Sequence, residues 1–169
     1  MTAAASPPET ATNAELIRRA FEILNTHDVA ALKHFWTADT VERFPTETSV
    51  GADAIGAYFQ AAFDALPDFR IELVGLAAEG DDVFAHWRLT GTHSGARWQG
   101  IAPTGRAVEL DGIDHFVVHD GKVTSNFVVF DQMQFARSVG MMPPDGSAAD
   151  RAMKAAFNSK TRIARRRKR

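Results

Sequence analysis

The chain has no cysteine. This excludes disulfide scaffolds, thiol nucleophiles, iron–sulfur clusters and cysteine-ligated zinc, and it is compatible with a reducing cytoplasm, the compartment we expect. Long hydrophobic runs are also missing: the longest, such as Phe127 to Phe130, fall far short of the ~20 apolar residues that a membrane-spanning helix needs. Residues 1–11 have neither a basic start nor an apolar stretch, so they read as a disordered Ala/Ser/Pro/Thr leader and not as a signal peptide. The six histidines show no His-x-His spacing, and the one His-x-x-x-His pair, His115 and His119, falls at the end of a strand-patterned segment and not on a helix, so no metal site is expected. Gly-x-Ser-x-Gly is absent, which argues against a serine-hydrolase triad. There is no phosphate-binding loop, no dinucleotide fingerprint and no internal repeat. Basic charge is scarce except at one place: residues 162–169 carry six basic side chains and no acid, and the rest of the chain holds 13 basic against 21 acidic groups. An acidic body is unsuited to nucleic acid over its folded surface.

What is present is material for one core: 169 residues, 45% of them apolar, a length that fits a single domain. Thr12-Asn13-Ala14-Glu15 has the form of a capping box, and Leu16, Ile17, Ala20, Phe21 and Leu24 follow at helical spacing. Asp28 is placed to cap a second, shorter helix, and Val41 to Phe44 reads as a short strand stopped by Pro45. A third helix is expected from about Asp53 to Leu66, ended by Pro67. The period then changes to that of strands, over Phe69–Ala77, Asp82–Thr92, Arg106–Val118 and Lys122–Asp131, the last two joined by the favoured hairpin turn Asp120-Gly121. A short helix follows over Gln132–Val139 and Pro143-Pro144 breaks it; beyond that, Ala148–Phe157 reads either as a loose helix or as disorder. Helices first and long antiparallel strands afterwards is an α+β order, with three N-terminal helices covering one face of a curved antiparallel sheet and a pocket between the layers.

Gly91-Thr92-His93-Ser94-Gly95, Gly100-Ile101-Ala102-Pro103-Thr104-Gly105-Arg106, Gly112-Ile113-Asp114 and the closing Val129-Phe130-Asp131-Gln132 together resemble the SnoaL-like polyketide cyclases, also called ester cyclases, of the cone-shaped nuclear transport factor 2-like superfamily. The resemblance covers residues 13–142, between the leader and a C-terminal extension over 143–169 with its basic tail. It implies a cofactor-independent enzyme, usually a homodimer, that closes a ring by aldol condensation of a hydrophobic, polyketide-like small molecule. An aspartate near the end of the last strand then serves as acid/base, the position of Asp131. Isomerisation of the ketosteroid isomerase type, epoxide hydrolysis and a non-catalytic binding or dimerisation module are the alternatives on the same scaffold. Where many members carry histidine, this chain has Arg43 in the first strand and Phe116 after Asp114, and the His-Trp pair before the last aspartate is Asn126-Phe127.

Hairpin parity extends this reading. With Asp120-Gly121 as the turn, one face carries Leu110, Gly112, Asp114, Phe116 and Val118 with Val123, Ser125, Phe127, Val129 and Asp131. This more apolar face is assigned to the pocket, where Asp114, Ser125 and Asp131 are its polar side chains. A carboxyl in such a wall is shifted toward the range useful for general acid/base work, although Asp is also a preferred helix cap and Asp131 precedes a helix. Asp114 is expected to orient substrate or to pair with Arg43 or Arg88, about 13 Å from Asp131 at ~3.3 Å per residue. Tyr58 and Phe59 are core residues that can also stack on a flat ligand, as can Phe116 and Phe127. Trp98 is expected as an exposed loop residue, a lid or a dimer contact. The opposite face, with Ile113, Val117, Val128 and Phe130, is too apolar for water and predicts a homodimer with His115 and Asn126 in the contact. The basic tail is either a solvated terminus or an arm for nucleic acid or anionic lipid.

Overall fold

The computed structural model describes residues 12–166; the leader, 1–11, and the last three basic residues lie outside them. Helix α1 spans Asn13–Leu24, and its capping box forms as expected. The Thr12 hydroxyl accepts from the Glu15 amide at 3.2 Å, and the Glu15 carboxylate accepts from the Thr12 amide at 2.7 Å. Ile17, Phe21 and Leu24 make its buried face. Asn25 fixes its far end, donating to the Ile71 carbonyl and accepting from the Ile71 amide, both at 2.8 Å. The short α2, Val29–Leu32, is capped by Asp28 and runs through a 3-10 turn, Lys33–Phe35, into strand β1, Trp36–Arg43. Strand β2 is Thr48–Val50, and helix α3, Ala52–Ala65, ends just before Leu66-Pro67. The long strands are β3 (Arg70–Glu79), β4 (Asp82–Thr92), β5 (Ala107–His119) and β6 (Lys122–Phe130), followed by α4 (Gln132–Ser138) and α5 (Ala148–Arg166).

The architecture is α+β, but the sheet is mixed. Its order is β2-β1-β6-β5-β4-β3, and β1 runs parallel to β6 while every other neighbour is antiparallel. The expectation of a purely antiparallel sheet fails at β1 for a simple reason. The chain enters β1 at the end of the sheet where the Asp120-Gly121 turn launches β6, so Trp36 lies beside Val123 and both strands leave in one direction. Lys122 reaches back to donate to the His34 carbonyl at this junction.

The second departure is a β-bulge, and it changes the site. The hairpin starts in the expected register, with His119 opposite Lys122 and Val118 opposite Val123, but then pairs Val117 with Ser125 and Phe116 with Asn126. Thr124 is the extra residue, its hydroxyl donating to the Val117 carbonyl at 3.1 Å. Because side chains alternate with period two, one additional residue exchanges the faces of everything after it. Asn126, Val128 and Phe130 therefore turn inward, and Phe127 and Val129 turn out, each about half exposed. On β5 the expected parity is observed: Leu110, Gly112, Asp114, Phe116 and Val118 are all buried.

Candidate functional site: a buried carboxyl pair in an apolar cavity

Between the sheet and α1–α3 lies a cavity of about 840 Å³ of empty space, its open mouth included. It is narrow, and its lining is almost wholly apolar. Trp36 and Phe59 stack at 5.8 Å and Phe44 and Tyr58 at 3.6 Å, forming an aromatic wall between β1 and α3. Phe21 meets Phe116 edge-on at 6.4 Å, and Trp87, Trp98 and Phe130 belong to the sheet side and the loop after β4. Three polar side chains enter this lining besides the tyrosine: Glu42, Asp114 and Asn126.

Their placement follows from strand register. Phe44 packs inward from the end of β1, so Glu42 and Thr40, two and four residues back, share its face, and all three are buried. Glu42 lies directly beside Asn126 in the parallel β1–β6 pair. Asp114 is on the next strand, where its Oδ1 accepts from the Trp87 indole at 3.0 Å and its Oδ2 from the Asn126 amide at 3.4 Å. Gly112 makes the indole bond possible. It sits opposite Trp87 in the β4–β5 register, and a Cβ there would stand 2.1 Å from the Trp87 ring. Without that atom the ring lies flat across β5 and its N–H reaches Asp114.

Both carboxyls are fully buried, and burial dominates their chemistry. Glu42 is pushed up from its ordinary 4.5 to about 8, first by desolvation and then by the charge of Asp114, against hydrogen bonds from Trp36 and Asn126. Asp114 is pushed up from 3.8 to about 7 by desolvation, against its bonds from Trp87 and Asn126. A geometric observation agrees: Glu42 Oε2 and Asn126 Oδ1 are buried without a hydrogen-bond partner. An ionised carboxylate can only accept, whereas a proton on Glu42 gives it an O–H to donate. Tyr58 is likewise held in its neutral, donating form, chiefly by burial and then by the charges of Glu47, Glu42 and Asp114.

The structure brings Asp114, Phe116, Tyr58, Phe59 and Trp98 to this cavity and leaves Asp131, Phe127, Arg43 and Ser125 outside it. Asp131 does not line the wall: beyond the bulge it is exposed, and its Oδ1 caps α4, accepting from the Met133 and Gln134 amides at 2.8 and 3.2 Å. Phe127 faces outward for the same reason. Arg43 is exposed at the end of β1, on the face opposite Glu42. Nor does Arg88 reach Asp114; it points outward and pairs with Asp111 at 3.1 Å. Trp98 is buried, not exposed, with its ring edge-on to Phe135 at 5.0 Å. Ser125 is half-buried beside the bulge and absent from the lining. The expected outer contact set loses Val128, Phe130 and Asn126 to the interior and gains Phe84, Phe127 and Val129. Sequence reasoning missed Glu42 and Asn126. Glu42 was legible in the Thr40-x-Glu42-x-Phe44 alternation; Asn126 was hidden by the bulge. Among the described residues, no three His, Asp or Glu side chains gather closely enough to hold a metal ion.

The model of the SnoaL-like polyketide cyclases matches residues 14–139. The chain belongs to this family. Solved structures agree in fold. AclR of Streptomyces galilaeus, which carries the provisional name of a hydroxylase, is 23% identical with a TM-score of 0.68, covering 78% of this chain and 97% of its own. A Jannaschia protein provisionally named a SnoaL-like polyketide cyclase is 21% identical with a TM-score of 0.71, over 83% and 99%. TsrD of Streptomyces laurentii is 21% identical with a TM-score of 0.70, over 79% and 100%. At these identities the likeness establishes the SnoaL-like fold alone. No curated protein matches the chain. Membership of the family supports an enzyme of the cyclase/isomerase type, and the fold's capacity for unrelated reactions leaves the chemistry to the site itself.

Proposed function

We propose that this SnoaL-like protein is a cofactor-independent enzyme that transfers a proton on a flat, apolar carbonyl compound, with Asp114 as the base and neutral Glu42 beside it as hydrogen-bond donor. The supporting observation is the pair itself: two carboxyls in one apolar wall, each shifted into the neutral range. A base near 7 beside an acid near 8 is the separation of roles that proton transfer at a carbon acid requires. The Asp114 carboxylate takes the proton from a carbon flanked by carbonyls. The electron pair moves to the carbonyl oxygen, and the Glu42 O–H and Asn126 amide stabilise the resulting enolate. In ring closure the enolate carbon attacks a second carbonyl, and the new alkoxide takes the proton back from Asp114; in isomerisation the proton returns to a different carbon. The narrow slot and its stacked rings suit a thin, conjugated substrate. That same narrowness also favours a second reading, a binding module without turnover. For assembly, the outward Phe84, Ile113, Phe127 and Val129, each about half exposed, support a sheet-to-sheet homodimer.

The test needs no natural substrate. Deuterium exchange at the central carbon of an aromatic 1,3-diketone, followed by proton NMR, reads the proposed step directly. The wild-type rate is expected to rise through pH 7 and fall above pH 8, the two limbs belonging to the coupled pair. Asp114→Asn should reduce exchange to the buffer rate with the fold unchanged. Wild-type exchange no faster than buffer, or full activity in Asp114→Asn, would overturn the proposal.

A further inference from the structure

Helix α5 has no role in the cavity, and its composition sets it apart. Residues 148–169 hold nine basic side chains and one acid, while residues 1–147 hold ten basic and twenty acidic. The single acid is consumed locally. The Asp150 amide donates to the Ser147 hydroxyl at 3.1 Å, and the Asp150 carboxylate accepts from the Gly146 amide at 3.1 Å and pairs with Lys154 at 2.7 Å. From Arg151 to Arg165 every side chain is exposed, including Met153 (40%), Phe157 (68%) and Ile163 (56%).

These residues are sorted around the helix. At 100° per residue, Ala149, Met153, Ala156, Phe157, Ile163 and Ala164 fall on one side, and Arg151, Lys154, Arg162 and Arg165 on the other. Nineteen residues give a rod of about 28 Å, and in proteins most of a helix's stability comes from covering an amphipathic face, not from propensity.

We infer that α5 is a surface anchor that lies in the headgroup region of an anionic lipid bilayer, its apolar side turned toward the acyl chains. Both halves of the helix then find partners. Phe157, Met153 and Ile163 leave water, and the basic side meets lipid phosphates, as in interfacial helices generally. Lys160, on the apolar side, has a stem long enough to lift its ammonium to the headgroups. Other occupants satisfy only one half. The acidic body of this chain can attract the basic side but leaves the apolar side in water. Nucleic acid also takes only the basic side, and the acidic body opposes its approach. Gly140, Pro143, Pro144 and Gly146 separate α5 from α4 along the chain.

The test is co-sedimentation of the full chain with large vesicles. Binding is expected on phosphatidylcholine containing 30% phosphatidylglycerol at 50 mM salt, at least tenfold weaker on phosphatidylcholine alone and at least tenfold weaker at 500 mM salt. Phe157→Glu with Ile163→Glu should lower partitioning at least tenfold while circular dichroism and the thermal midpoint of the body stay put. Phe157→Trp should show a blue-shifted emission on anionic vesicles. The inference is overturned if the wild type stays in the supernatant. It is overturned equally if the double glutamate variant binds as well as wild type, or if an RNA or DNA oligonucleotide strips the protein from vesicles and binds that variant unchanged.

Discussion

Replacing Glu42 by Gln should weaken the pH dependence of stability. Glu42 titrates near 8 in the folded protein and near its ordinary 4.5 in the unfolded chain. Between those values the folded state holds a proton that the unfolded state has released. Stability therefore falls as pH rises through this window: the favourable contribution is complete below about pH 4.5 and gone above about pH 8. At about 1.4 kcal/mol per pKa unit, the loss is on the order of 3–5 kcal/mol, the lower end allowing for the part contributed by the Asp114 charge. That is a large fraction of the ~5–15 kcal/mol that holds a domain folded. Gln is nearly isosteric, keeps a donor toward Asn126 and cannot ionise. Urea unfolding at pH 5, 7 and 9 is the assay. The wild type should lose stability steadily across the series, the variant should lose less by about that amount, and at pH 9 the variant should be the more stable protein. Parallel curves for the two proteins would show that Glu42 does not hold its proton at neutral pH, and the donor role assigned to it would go with that.

Three further outcomes are expected. Asp131→Ala should cost about 1 kcal/mol, the value of a helix N-cap, and leave diketone exchange untouched; lost exchange with intact folding would place Asp131 in the chemistry after all. Gly112→Ala should drive the Trp87 ring from its place, costing about 1–3 kcal/mol of overpacking. With its indole bond gone, Asp114 should rise further, so the acid limb of the exchange profile moves to higher pH; an unmoved limb would refute the coupling. Light scattering at micromolar concentration should report a homodimer for the wild type and a monomer for Ile113→Lys with Phe127→Lys, and a monomeric wild type would refute the outer face as the contact.

The helices and strands were legible because each is announced by local chemistry. Thr12 and Glu15 cap one another, Pro67 follows the end of a helix, and Asp120-Gly121 takes the positive φ values of 50° and 71° that a tight hairpin demands. Asp114 was legible for the same kind of reason, since β5 alternates without interruption from Val108 to Val118. What failed was anything that crossed the bulge. Parity counted from a turn holds only while each residue has one partner, and the unpaired Thr124 breaks that condition within three residues of the turn. From that point Asn126 was sent outward and Asp131 inward, the reverse of where they lie. Nothing in the local sequence marks Thr124 as the residue to expel, because the expulsion is decided across strands. Thr40, fully buried on β1, donates to the Val123 carbonyl at 2.6 Å, and the β1–β6 register slips over the same stretch, between Trp36 and Val41. Two irregular strands thus fit each other, and the fit sets Asn126 between Glu42 and Asp114. The assembled site is a product of that long-range agreement, which is why Glu42 and Asp114 can be found by counting along their own strands and the Asn126 between them cannot.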